Sequence, residues 1–232
     1  MKLKYLPLVC ALATAGPSFA ITVNLTDFSF GTAPSLAATD PVNGISFNGQ
    51  AGRFDGTLDD SAAATMASLM AGANLVANSF TAYCAELTQT FNFNVSYTDY
   101  SRVGGGSYFG AQKAADLSRL FTAGSGFVVD SATSAAMQAG VWEIIYETGS
   151  YALFGGNFQI QSSDAATQAA FGTVSGFLSG LSSYGTGFQI EVLVSPQQQN
   201  FLVATPVPEP STWALLAVGL GVIGVVARRR KA

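Results

Sequence analysis

Several short stretches of the chain alternate apolar and polar residues with a period of two, which is the pattern of a strand with one buried face. The alternation is strongest in residues 21–26, 91–98 and 188–194, and residues 91–98 read Phe-Asn-Phe-Asn-Val-Ser-Tyr-Thr. Ile45 and Phe47 begin another short alternation. The sequence therefore predicts strands near the beginning, in the middle and near the end of residues 21–206.

Other stretches repeat their apolar residues at the spacing of one helix face. In residues 131–148, Asp130 or Ser131 can serve as the N-cap, and a glycine follows the last turn, so a helix is predicted there. Residues 110–121 and 164–181 predict two more helices, and residues 61–75 are compatible with a fourth. Strands on both sides of three or four helices predict an α+β fold with a mainly antiparallel sheet.

Glycines recur at every fourth position of the helix predicted at residues 164–181, namely Gly172, Gly176 and Gly180. Each glycine inside a helix costs about 1 kcal/mol relative to alanine. Close packing of another backbone would account for that cost, and we expect such packing along this stripe.

Turn-forming and small residues separate the predicted elements. Residues 31–44 hold two prolines and are predicted as a loop, and the three glycines at residues 104–106 are predicted as a flexible turn. Residues 55–60 form the densest acidic cluster of the chain. They lack the ligand order and the distal Glu of an EF-hand calcium loop, so we predict a solvated turn there and no metal site.

The helix predicted at residues 131–148 places a polar side chain where the fold should be apolar. At helical spacing Gln138 shares one face with Ser134, Val141, Trp142 and Ile145, and this face should point towards the core. One interpretation is a buried glutamine whose amide is satisfied by backbone groups. The other is that Gln138 is a reactive group, which requires a second residue.

Residues 1–20 have the features of a secretory signal peptide. Lys2 and Lys4 precede an apolar run, and Ser18-Phe19-Ala20 fits the small-x-small pattern that signal peptidase cleaves. We therefore expect the mature protein to begin at Ile21, and Cys10 is lost with the signal peptide.

Removal of the signal peptide leaves Cys84 as the only cysteine of residues 21–206, so an intramolecular disulfide is impossible in this exported region. A buried and inert core cysteine is one interpretation, because free cysteine is among the most buried residue types. A bond between Cys84 and Gln138 would account for the lone thiol and the misplaced glutamine together.

The segment Tyr83-Cys84, followed by Gln138-Ala-Gly-Val141-Trp142 on a helix, resembles the thioester domains of bacterial surface adhesins. In that family the cysteine of a Tyr-Cys motif and the glutamine of a Thr-Gln-x-Ala-aliphatic-Trp motif close an internal thioester that captures nucleophiles. Here Met137 and Gly140 stand at the threonine and alanine positions. The resemblance implies a Cys84–Gln138 thioester in the environment of Tyr83, Val141 and Trp142, with an amine- or hydroxyl-bearing surface target or a matrix polysaccharide as the partner.

Residues 207–232 begin with Val207-Pro208-Glu209-Pro210, continue with the uncharged and mostly apolar residues 211–227, and end with a basic cluster, Arg228, Arg229, Arg230 and Lys231. A helix over residues 211–227 rises about 25 Å, close to the minimum for a transmembrane span. The basic cluster belongs on the cytoplasmic side, which places residues 21–206 outside the cytoplasm.

This tail is similar to the PEP-CTERM sorting signals of Gram-negative bacteria, which combine a Pro-Glu-Pro box, a short hydrophobic helix and terminal arginines. The resemblance implies an intermediate in the inner membrane, processing by an exosortase-type enzyme, and delivery to the cell surface or the extracellular matrix.

Composition restricts the chemistry that the protein can perform. The chain has no histidine, which removes Ser-His and Cys-His nucleophiles and His-ligated zinc. The acidic pair Glu143 and Glu147 leaves glycoside chemistry possible, but its i,i+4 spacing is that expected of a solvated helix face. Residues 21–206 carry thirteen Asp and Glu against four Lys and Arg, which disfavours nucleic-acid binding. We predict no enzyme activity and no cofactor.

Two functions remain after the sequence analysis. The first is an exported adhesin that couples covalently to its partner through the thioester. The second is a passive structural component of the exopolysaccharide or biofilm matrix, in which Cys84 and Gln138 are ordinary core residues.

Overall fold

The computed structural model describes residues 20–59 and 78–207. The predictions for the signal peptide up to residue 19, for a helix at residues 61–75 and for the apolar segment at residues 211–227 lie outside these ranges. Within them, no helix is both long enough and apolar enough to cross a membrane.

Nine strands and four α-helices form within the described ranges. The strands are β1 (Ile21–Phe28), β2 (Ser35–Asp40), β3 (Ile45–Gln50), β4 (Phe54–Asp59), β5 (Asn78–Cys84), β6 (Ser96–Gly104), β7 (Gln159–Ser162), β8 (Phe188–Val194) and β9 (Phe201–Pro206). The helices are α1 (Gly105–Phe109), α2 (Ala111–Gly124), α3 (Ser131–Tyr146) and α4 (Ala165–Ser179), and a 3₁₀ turn covers Leu181–Ser183.

Six strands close into a barrel in the order β1-β4-β5-β9-β8-β6, and a second sheet has the order β3-β2-β7. Every strand pair is antiparallel. The prediction of an α+β fold with antiparallel sheet is thereby confirmed, whereas barrel closure depends on long-range pairing that the alternation could not show. Closure leaves these six strands without a free edge.

The fold has two hydrophobic clusters that meet at the barrel wall. One lies among the barrel strands and includes Val23, Leu25, Phe54 and Phe201. The other surrounds α3 and joins it to α2, α4 and the three-stranded sheet. Cys84, at the end of β5, packs against both clusters.

Helix α3 begins as its sequence predicts. Asp130 is the N-cap: its Oδ1 accepts a hydrogen bond from the Thr133 backbone N–H at 2.8 Å, and Thr133 Oγ1 accepts one from the Asp130 N–H at 3.1 Å. This reciprocal pair is a capping box. Almost the whole circumference of α3 is buried, as expected of a helix that crosses the core.

The predicted close packing along the glycines of α4 is wrong. A Cβ on Gly172 or Gly176 would meet no atom within 4 Å, and one on Gly180 would meet only the end of its own helix and the turn that follows. The close approach between helices occurs instead at Gly140 of α3, beside Val174 of α4.

Three local predictions are wrong in whole or in part, each for a physical reason. Of the strand predicted at residues 91–98, residues 96–98 are confirmed as the start of β6. Residues 91–95 form a turn, with Asn94 at φ 60°, because the alternating phenylalanines pack together across one side of the barrel and do not enter the sheet. Residues 35–40 form β2 within the predicted loop, with its alternate side chains buried. Most of the acidic cluster lies in β4, whose alternation is hidden because Gly56 takes a buried position where a Cβ would contact Leu25 Cδ2 at 2.6 Å.

One smaller prediction is corrected as well. The glycines at residues 104–106 end β6 and begin α1, so they do not form a flexible turn. Farther along the chain, the residues between α3 and β7 form a loop that is held by carboxylates of the α3 region.

Candidate functional site

The side-chain amide of Gln138 pairs with the backbone of Cys84. Gln138 is completely buried on α3. Its Oε1 accepts a hydrogen bond from the Cys84 N–H at 2.8 Å, and its Nε2 donates one to the Cys84 carbonyl oxygen at 3.0 Å. The structure thus brings the two residues singled out by the sequence into direct contact across 54 positions.

Strand pairing explains why these backbone groups of Cys84 are available. The next N–H along the chain, that of Ala85, donates to Asn200 O at 2.9 Å on the β9 side. Successive backbone groups of an extended chain alternate in direction, so the Cys84 groups face the opposite side. On that side the pairing of β5 with β4 ends at Ala82 and Phe54. Gln138 therefore takes the place of a neighbouring strand.

The predicted environment of the pair is only partly gathered around it. Trp142 is 1% exposed, stacks edge-on against Phe47 at 5.2 Å between ring centroids, and lines the same cleft as Cys84. Val141 is fully buried in the cluster around α3. Tyr83 packs against Phe121 and lines a separate 110 Å³ cavity, because neighbouring strand residues point to opposite faces.

A cleft of about 280 Å³ lies over Cys84. Aromatic side chains form much of its wall, and polar groups complete it: Phe28, Phe47, Phe54, Phe91, Phe93, Trp142, Glu86, Thr88, Gln89 and Gln199. The turn at residues 91–95 supplies two of these rings. Because the sequence predicted a strand there, it did not predict this part of the cleft wall. Sequence reasoning also passed over Glu86, although a carboxylate only two residues from Cys84 in the sequence was a usable signal.

The thiol is held in its neutral form. Cys84 is half-buried, and burial, followed by the negative charge of Glu86, raises the pKa of the Cys84 thiol well above its ordinary value. A free thiolate is therefore disfavoured at this position. A neutral derivative of the sulfur would avoid the cost of charge that burial imposes.

Glu86 is anchored beside Cys84. Its Oε1 accepts a hydrogen bond from the Asn200 N–H at 3.0 Å, and its Oε2 is met by Thr88 Oγ1 at the longer distance of 3.4 Å. Its own backbone carbonyl accepts a bond from Gln199 Nε2 at 2.8 Å. The carboxylate is thus fixed at the rim of the cleft with one oxygen weakly engaged.

The acidic pair Glu143 and Glu147 is not on a solvated helix face, which corrects the sequence prediction. Glu143 is completely buried, and Glu147 is 3% exposed. Glu143 Oε1 accepts a bond from the Ala152 N–H at 2.5 Å, and Glu147 Oε2 accepts bonds from the Asn157 and Phe158 N–H groups at 2.7 and 3.1 Å. Both carboxylates therefore hold the loop that follows α3.

Within residues 20–59 and 78–207, no group of three or more His, Cys, Asp or Glu side chains could hold a metal ion. Of the sorting motif, only Val207 belongs to the described residues. It is 48% exposed, and its N–H donates to Gly187 O at 2.8 Å. Pro208, Glu209, Pro210 and the basic cluster lie outside the described ranges.

A family model, the PEP-CTERM protein-sorting motif, matches residues 206–231. The chain thus carries this sorting motif, as the tail sequence predicted. The motif indicates export to the cell surface or the extracellular space, and processing by an exosortase-type enzyme.

Among solved structures, the N-terminal thioester domain of a surface protein from Clostridium perfringens is similar to this chain. The two share 15% sequence identity with a TM-score of 0.41, and the match covers 75% of this chain and 99% of the other. No curated protein matches the chain.

Proposed function

We propose that this exported protein is an adhesin that couples covalently to a partner through an internal thioester between Cys84 and Gln138. The observation that carries the proposal is the pairing of the Gln138 carboxamide with the Cys84 backbone. This pairing holds the side-chain carbonyl of Gln138 against the backbone of the only cysteine in residues 21–206, which supports a reaction between the two side chains.

Bond formation would follow the chemistry of acyl transfer. The Cys84 sulfur attacks the side-chain carbonyl carbon of Gln138, the C–S bond forms, and the C–N bond breaks. The thiol proton leaves with the amide nitrogen as ammonia. During the attack negative charge develops on Oε1, which already accepts a hydrogen bond from the Cys84 N–H, so one oxyanion donor is in place.

The surroundings favour the thioester over the free thiolate. A thioester is neutral, so burial that raises the pKa of the Cys84 thiol imposes no charge penalty on it. The cleft leads from solvent to Cys84. An amine or hydroxyl on a surface target or a matrix polysaccharide would attack the carbonyl carbon there. The C–S bond then breaks, the Gln138 acyl group joins the partner, and Cys84 regains its thiol.

A second candidate is a passive component of the extracellular matrix without covalent chemistry. The observation in its favour is that both polar ends of the Gln138 amide are satisfied by the Cys84 backbone without any reaction. The raised pKa of the Cys84 thiol, caused by burial, also fits an unreactive core cysteine.

The intact mass of the purified mature protein distinguishes the two functions. The thioester predicts a mass lower by one ammonia, resistance to thiol-modifying reagents, and a gain of one methylamine on incubation with that amine. Cys84→Ala and Gln138→Met should each abolish the mass deficit and the methylamine uptake. An unmodified mass together with a readily alkylated Cys84 would reject the thioester and support the passive component.

A further inference from the structure

We infer that Glu86 is the proton carrier of the site: its carboxylate accepts the proton of the attacking nucleophile and delivers it to the Cys84 sulfur. This inference rests on the thioester proposed above. It adds Glu86 to the residues that the motif resemblance named. It also means that the cleft supplies proton transfer in addition to giving the nucleophile access to Cys84.

The side chains of Cys84 and Glu86 line the same cleft. Cys84 ends β5, and the chain bends at Ala85, which is buried at 2% exposure. The hydrogen bond between the Ala85 N–H and Asn200 O holds this bend beside β9. The two side chains on either side of Ala85 are close enough for the charge of Glu86 to act on the Cys84 thiol.

The Glu86 carboxylate is held in place and yet available for proton transfer. The bond from the Asn200 N–H fixes Oε1, whereas Oε2 has only the long contact with the Thr88 hydroxyl. Neither of the two ion pairs in the described part of the chain includes Glu86. Among the described residues, no cationic side chain therefore occupies the lone pairs that a proton carrier needs.

The reaction itself requires such a group. When an amine attacks the thioester, the N–C bond forms, the C–S bond breaks, and one proton must move from nitrogen to sulfur. Burial and the charge of Glu86 raise the pKa of the Cys84 thiol, so departure of an unprotonated sulfur is costly. A general base that becomes a general acid within the same exchange removes this cost.

The other titratable groups near Glu86 cannot take this part. Its charge acts on Cys84 itself and on Tyr100, Tyr108 and Tyr146. Burial raises the pKa of all three phenols, that of Tyr146 to about 12, so they stay protonated at neutral pH and cannot accept a proton. The chain has no histidine, and of the described residues that line the cleft, Glu86 is the one with a carboxylate.

The test compares Glu86→Gln with wild type, using protein isolated from the surface of cells that express each chain. Glutamine keeps an oxygen that can accept the Asn200 N–H bond, but it cannot carry a proton. Glu191→Gln is the matched control, since it removes a carboxylate from β8 that is paired with Arg102 and does not line the cleft. We expect methylamine uptake, followed by intact mass, to slow about 100-fold in Glu86→Gln and to be unchanged in the control.

The pH profile gives a readout that a purely structural role would not change. With hydroxylamine as the nucleophile, the wild-type rate per unprotonated amine should fall as the pH is lowered, which is the behaviour of an exchange that uses a general base. The Glu86→Gln rate, corrected in the same way, should stay flat. Formation of the thioester is the reverse of attack by ammonia, so the same carrier should act in it and the variant should also acquire its mass deficit slowly.

The outcomes separate this inference from the proposed function. A wild-type protein that never shows the mass deficit overturns both. A wild-type protein that shows it, with equal uptake rates in Glu86→Gln, overturns the inference alone. A folded Glu86→Gln protein that stays at the unmodified mass supports the inference, because it would mean that formation of the thioester also needs Glu86 as the proton carrier. If this variant fails to fold, the wild-type profile decides, because a corrected rate without a decline in acid overturns the inference.

Discussion

Gly140 of α3 lies so close to Val174 of α4 that a Cβ on Gly140 would come within 2.7 Å of Val174 Cγ1. The same Cβ would meet Leu120 Cδ2 of α2 at 3.3 Å. Val174 and Leu120 are completely buried, so neither can move without disturbing the core. The absence of a side chain at Gly140 therefore sets how closely α3 approaches its two neighbouring helices.

Gly140→Ala should destabilise the protein by about 1 kcal/mol, because the cost of overpacking exceeds the gain in helix propensity. Gly176→Ala is the matched control, since it lies in α4 with no atom within 4 Å of a new Cβ and should stabilise by up to about 1 kcal/mol. Urea unfolding of both variants measures the difference. Equal shifts in the same direction would mean that α3 and α4 are not packed through Gly140.

In the Cys84→Ala background, which cannot form the thioester, Gln138→Met should cost about 3 kcal/mol in the free energy of unfolding. Methionine nearly preserves the side-chain volume but leaves the Cys84 N–H and carbonyl oxygen without partners in a buried position. Gln189→Met, at an exposed position of β8, is the control and should change stability little. A loss no larger than that of the control would show that the amide pairing contributes nothing to the fold.

Periodicity predicted the elements whose burial pattern is carried by their own residues. The capped apolar helix at residues 131–146 and the alternating strands β1 and β8 are of this kind. The alternation pattern did not predict strand β4, because Gly56 occupies one of its buried positions, where there is no room for a side chain. Residues 91–95 were wrongly predicted as a strand, because alternating aromatic residues can also occur in a turn whose rings pack against one another.

The candidate site was predictable in part, and the limit was long-range geometry. The motif resemblance named Cys84 and Gln138, which the fold brings together, but no local pattern could reveal the cleft formed with residues 91–93. The same limit explains the error at Glu143 and Glu147. Their i,i+4 spacing suits a solvated face, and only the chain's return at residues 152–158 supplies the N–H groups that bury them.

The sorting motif makes a prediction about the mature chain. We expect protein at the cell surface to lack residues 211–232, because the exosortase-type enzyme removes the apolar segment that would otherwise hold it in the membrane. Replacement of Pro208, Glu209 and Pro210 by alanine should leave the protein in the inner membrane fraction. Mass spectrometry of the surface protein measures its C-terminus, and a full-length C-terminus on surface-exposed protein would contradict the prediction.

Glu143 should make the protein less stable as the pH rises towards neutrality. Burial, with a smaller contribution from the charge of Glu147, raises the pKa of Glu143 from 4.5 to about 7. Below about pH 4.5 the group is protonated in the folded and the unfolded chain alike. Between there and pH 7 the unfolded chain releases its proton first, so the free energy of unfolding falls, by about 3 kcal/mol in all.

Glu143→Gln isolates this effect from other carboxylates with the opposite trend, such as Asp130 and Asp164, whose pKa values are lowered by hydrogen bonds from Thr133 and Thr167. The stabilisation that Asp130 and Asp164 contribute is present at neutral pH and is lost in acid. It is the same in the wild-type protein and in Glu143→Gln, so it cancels in the comparison. Urea unfolding from pH 4 to 8 should therefore show the stability of the variant, relative to wild type, rising by about 3 kcal/mol across this range. Parallel curves for the two proteins would mean that Glu143 keeps an ordinary pKa and is accessible to water.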